Sequence, residues 1–145
     1  MKHHDYTPME VEGWGKDWTI IPIDGYGNHE MIRSVLQKEK PDVLWFMTDP
    51  RFYGWLWEIE NEVRANVPMI YYHVWDNFPA PHYNGRFYRS NDKIVSISKV
   101  TQKIVETVSP EVDSEYLPHA VDSDIFKKIK DGELLDFVNT TRRQI

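Results

Sequence analysis

The sequence predicts an α/β fold: a Rossmann-like, doubly wound parallel sheet, layered α/β/α, in a single domain. Three observations predict it. Short apolar runs at residues 43–47, 69–74 and 94–97 are separated by stretches with helical apolar spacing. Those runs are apolar at successive positions instead of alternating, as in strands covered on both faces. Each connection is long enough for the crossover helix that parallel neighbours need.

Taken in order, residues 6–11 read as a weak strand, broken by Gly13 and Gly15. Residues 18–23 read as a better one, because Thr19, Ile20 and Ile21 are β-branched. Asp24-Gly25 and Tyr26-Gly27 form a turn, and Asn28 is placed to cap a helix. Met31, Ile32, Val35 and Leu36 give that helix one apolar stripe. Lys38 and Lys40 suit its C-terminal end, and Pro41 stops it.

Residues 42–48 are expected to form a strand buried on both faces, ending in an Asp49-Pro50 turn. A helix follows with Phe52, Trp55, Leu56, Ile59 and Val63 on its inner face. The central strand comes next. Pro68 stands at its entry, Met69, Ile70, Tyr71, Tyr72 and Val74 form it, and it breaks at His73, Asp76, Asn77, Pro79 and Pro81. A buried strand that delivers polar groups to its carboxyl end is how open α/β sheets present a site.

Residues 83–90 read as a short helix and 93–98 as another buried strand. Ser98 caps a helix that buries Val100, Ile104, Val105 and Val108 and ends at Ser109-Pro110. Residues 115–120 form a short strand, and 132–143 a polar helix with a thin stripe of Leu134, Leu135 and Val138.

With 145 residues the chain can bury the core of one domain. The net charge of −6 and the lack of a basic cluster argue against a nucleic-acid partner. Without cysteine, disulfides and thiolate metal sites are excluded, which fits a reducing compartment. No run is long enough to span a membrane and no signal-peptide pattern opens the chain, so a cytoplasmic protein is expected. No Gly-x-Gly-x-x-Gly, P-loop or Gly-x-Ser-x-Gly follows any strand, so no cofactor is expected. His73, Asp76, His82 and His119 match no metal-ligand spacing, and no metal is expected.

Three stretches resemble the N-terminal domain of family 4 glycosyltransferases of the two-domain, B-type fold. They are Lys40-Pro-Asp-Val-Leu-Trp45, Lys93-Ile-Val-Ser-Ile-Ser98, and Tyr116-Leu-Pro-His-Ala-Val-Asp-Ser-Asp-Ile-Phe126. The last is similar to the link between that family's two domains, with His119-Ala120 in place of its usual Asn-Gly. The resemblance covers residues 40–126. It implies a Rossmann-like N-terminal domain over 1–126, without the family's first strand and glycine-rich loop, and a linker helix over 127–145 toward a donor domain.

The implied function is the acceptor-side half of an enzyme that moves a sugar from a nucleotide donor to a hydroxyl, inactive by itself. Donor and acceptor would be partners only once a second domain completes the enzyme. The alternative is a non-catalytic assembly module that forms a homodimer through its open sheet edge or aromatic surface.

The resemblance implies a catalytic role for His73, reaching the sugar or the acceptor hydroxyl. An imidazole there can take or give a proton near neutral pH, and the competing role is a core histidine. Asp76 and Asn77 suit sugar hydroxyls, or equally the turn ahead of Pro79. Trp75 offers a stacking face or a core ring. Asp49 could meet the same ligand but also suits a helix cap. Ser98 and Lys99 could hold an anion at a helix start, where capping is the competing role. His119 and Asp122 lie in the interdomain link, which lines the cleft in the family.

Overall fold

We describe a computed structural model of the chain covering residues 8–13, 15–75, 77–128 and 131–142. Its elements are β1 (Met9–Val11), β2 (Gly15–Ile20), α1 (His29–Glu39), β3 (Leu44–Thr48), α2 (Gly54–Trp57) and α3 (Glu60–Arg64). They continue with β4 (Met69–His73), α4 (Gly85–Arg89), β5 (Lys93–Ser96), α5 (Lys99–Val108), β6 (Ser114–Tyr116) and α6 (Asp131–Arg142). Strands β3 to β6 form a parallel four-stranded sheet in the order β3-β4-β5-β6. With helices packed on it, this is the Rossmann-like α/β fold expected of the sequence.

Local chemistry explains the elements. Asn28 Oδ1 accepts from the Met31 N–H at 2.9 Å and opens α1. Lys40 ends it in the left-handed conformation, φ 47°, with its N–H on the Leu36 carbonyl. Ser98 caps α5 by accepting from the Thr101 N–H at 3.0 Å. Asp92 ties two strand starts together. Its carboxylate accepts from the Met69 N–H at 2.8 Å and from Arg64 at 2.9 Å.

One strand goes elsewhere than expected. The segment predicted over 18–23 begins earlier, at Gly15, and pairs antiparallel with β1 as a separate hairpin. The reason lies in the connection. Gly13 and Gly15 hold φ of 84° and 59° in a short turn, and a short turn can join only antiparallel neighbours.

Helices α1 to α5 send Ile32, Leu56, Val63, Tyr88 and Val105 into one core, against Phe46, Met69, Tyr71 and Ile94 of the sheet. Because the strand order advances one way, right-handed crossovers put α2 to α5 on the same face, and α1 joins them there through Ile32. The opposite face of β3 is therefore open. Val43, Trp45 and Met47, expected to be buried, are 44%, 49% and 51% exposed. Val100 is likewise exposed, not buried, because α5 turns Ile104 and Val105 inward instead. The single helix expected after Asp49 is a 3-10 turn and two short helices, and that change of phase buries Trp57 as well as Leu56 and Val63.

Candidate functional site

The carboxyl ends of β3, β4 and β5 come together at one edge of the sheet. Thr48, His73 and Ser96 sit side by side in register. Just beyond them a cleft of about 320 Å³ is lined by Thr48, Asp49, Arg51, Val74, Trp75 and Ile97. This is the end of an open α/β sheet where ligands are met. A larger depression, about 570 Å³, lies at the other end beside Arg33, Lys40, Glu62 and Asn66. There Arg33 and Glu62 already satisfy each other at 2.7 Å through two hydrogen bonds. We therefore place the candidate site at the carboxyl ends.

Asp49 does what a cap does and also lines the cleft. Its Oδ1 accepts from the Arg51 N–H at 2.9 Å, while its two oxygens take the Arg51 guanidinium at 3.0 Å each. Burial alone would raise its pKa, but the hydrogen bonds from Arg51 outweigh that and hold the carboxyl below its ordinary value. The result is a fixed carboxylate and guanidinium at the mouth of the cleft, able to accept from and donate to hydroxyls.

Trp75 is fixed from three sides. Its indole N–H donates to the Asn77 carbonyl at 2.8 Å, its own carbonyl accepts from the Thr101 hydroxyl at 3.2 Å, and its ring meets Tyr83 edge-on. Thr101 also meets the Ser98 hydroxyl at 2.8 Å, so the first turn of α5 anchors the strand-end loop. A half-buried, oriented indole beside two charged groups is a surface for the apolar face of a polyol or a ring.

His73 lies inside the protein, 0% exposed, and is not among the cleft-lining residues. Its Nε2 is 3.1 Å from the Tyr88 hydroxyl. Nδ1 has no hydrogen-bond partner among the described residues, and neither has the buried Ser96 hydroxyl. Burial pushes the imidazole down to about 4, against a smaller opposing pull from Asp49. At neutral pH it is uncharged, and Nδ1 is the ring nitrogen left open to a further hydrogen-bond partner.

The other expected residues divide. Asp76 lies outside the described residues. Asn77 is exposed and takes up turn chemistry, its Oδ1 accepting from the Phe78 N–H at 2.9 Å. Ser98 caps, and Lys99 lies exposed beside it on α5. His119 stacks on Tyr72 at 5.3 Å, and Tyr72 points to the sheet face opposite Tyr71 and His73. Asp122 closes a turn by accepting from the Asp124 N–H at 2.8 Å. The structure thus joins Asp49 with Trp75 and keeps Asn77, His119 and Asp122 out of the cleft.

Sequence reasoning missed Thr48, Arg51, Val74 and Ile97 as cleft residues. Their signal was position: each stands within three residues of a parallel strand's carboxyl end. Among the described residues, no group of three or more His, Cys, Asp or Glu is placed to hold a metal ion. No helix among them is long and apolar enough to cross a membrane. In comparisons with protein-family models, curated proteins and solved structures, nothing matches this chain.

Proposed function

We propose that the chain is the acceptor-side domain of a glycosyltransferase, which presents a hydroxyl to a sugar carried by a nucleotide donor. The observation that carries this reading is the cleft at the ends of β3 and β4, where Asp49, Arg51 and Trp75 meet. A carboxylate, a guanidinium and an indole in one cleft suit a sugar, with hydroxyls for the first two and a ring face for the third. The motif resemblance in residues 40–126 supports the same reading. The acceptor oxygen is positioned by Asp49 and Trp75, and positioning is a large part of such catalysis. His73 supports the carboxyl end of β4 from within and is the nearest neutral base behind it. The donor is bound by a second α/β domain, as the resemblance implies.

Saturation-transfer NMR with a panel of simple glycosides tests this. Binding that Trp75→Ala removes is the expected result, with no sugar transfer by the chain alone. Transfer from a nucleotide sugar by the purified chain would overturn the division of labour.

A second reading has its own observation. Leu44 N–H bonds to Pro68 O across to β4, so Trp45 and Met47 turn their backbone groups to the side of β3 that no described strand covers. An apolar edge strand below an open apolar face suits assembly with a second copy. A concentration-dependent mass in sedimentation, abolished by Met47→Lys, supports it. A monomer at every concentration sinks it.

A further inference from the structure

Beside the cleft, a second concavity of about 470 Å³ lies between α5 and the loop after β4. One wall is an apolar row on α5, Val100 and Ile104, and the other is Phe78 with Ala80. Phe78 is 75% exposed and Val100 65% exposed, so both walls of this one concavity offer open apolar surface. Lys99 and Lys103 run alongside the apolar row, four residues apart on the same side of the helix. Lys99 has no ion-pair partner among the described residues. Among the described residues, the Lys103 ammonium pairs with Glu106 alone, at 3.5 Å, in an exposed pair of little strength.

We infer that this groove binds a single-chain anionic amphiphile, an alkyl or prenyl chain bearing a phosphate, with the chain between Phe78 and Val100 and the head on Lys99 and Lys103. Positive charge and apolar surface meet in one groove of small-molecule size. Sites for such ligands span roughly 300–1,000 Å³. Lys99 and Lys103 place two positive groups beside the apolar wall of this groove, although the protein as a whole carries a net charge of −6. The proposal does not rest on the transferase reading. Its connection to the cleft is structural: Thr101, between the two lysines on α5, holds the Trp75 carbonyl.

The test is a titration of the full chain with dodecyl phosphate below its micelle concentration, followed through the methyl resonances of Val100 and Ile104. Saturable shifts at both are expected. The variant Lys99→Gln/Lys103→Gln should weaken binding by roughly tenfold, the equivalent of one lost charge-assisted contact. Phe78→Ser, at an exposed position that leaves the core untouched, should weaken it by a comparable factor. Unmoved methyls, or equal binding by the lysine double variant, would overturn the proposal. So would chain binding to phosphatidylglycerol vesicles with no response to monomeric dodecyl phosphate, which would assign the patch to a bilayer surface instead.

Discussion

The hydroxyl of Tyr88 stands 3.1 Å from Nε2 of His73, and both rings are wholly enclosed. Nothing local in the sequence links the two. One is the last residue of a central strand and the other lies on a short helix beyond the proline loop. The contact holds the imidazole behind the cleft, and burial keeps it neutral. Burial also raises the Tyr88 hydroxyl to about 12, so both partners remain uncharged near neutral pH.

The burial of His73 sets a pH dependence. In the unfolded chain His73 protonates near its ordinary value of 6.5, but in the folded protein only near about 4. Between those values the unfolded state binds more protons, so stability is intact above about 6.5 and falls as pH drops toward about 4. At about 1.36 kcal/mol per pH unit, the loss is on the order of 3 kcal/mol. Urea melts across this range should show a steeper decline for the wild type than for His73→Gln. Equal slopes would mean that His73 is not the group responsible.

Asp92 should be among the more costly polar residues to remove. Burial alone would raise its carboxyl, yet Arg64 and the Met69 N–H prevail and hold it below its ordinary value. Asp92→Ala leaves the N–H at the start of β4 and the Arg64 guanidinium without this acceptor. A loss of about 1–3 kcal/mol is expected in chemical denaturation. A change within a few tenths of a kcal/mol would show that water replaces the carboxylate freely.

At Lys40 the chain should be improvable. A lysine at φ 47° occupies a region that favours glycine, and it does so only to close α1. Lys40→Gly should raise stability by about 1 kcal/mol, measured by thermal or urea unfolding, because the strain relieved exceeds the entropy glycine adds to the unfolded chain. A fall in stability would mean that the Lys40 side chain contributes more than its backbone costs.

These cases also show what the sequence makes legible. Asn28 and Ser98 declared their helices because capping is chemistry between near neighbours, and both caps form as expected. The central strand was legible for a similar reason, its apolar run being short, continuous and bounded by Pro68 and the polar loop. What the sequence hid depends on long-range packing. The run through Trp45 and Met47 is apolar on both sides, but only tertiary structure decides that helices cover one of them. Residues 18–23 had strand chemistry, yet the turn geometry at Gly13 and Gly15, not the strand itself, decided which partner it would take. In the site, Asp49 and Trp75 were visible as strand-end residues. Arg51, Thr101 and Tyr88 were not, because their roles lie in the partners they reach.

The proposed function requires that the carboxyl-end cleft receive a sugar hydroxyl. The most direct measurement is a two-dimensional NMR titration of the labelled chain with simple glycosides, read at the Trp75 indole and at the amides of Thr48, Arg51 and Ile97. Concentration-dependent shifts clustered at those four residues, and lost in Asp49→Ala, are the expected result. Shifts centred instead on Arg33, Lys40 and Asn66, at the opposite end of the sheet, or no shift at Trp75 with any glycoside, would contradict it.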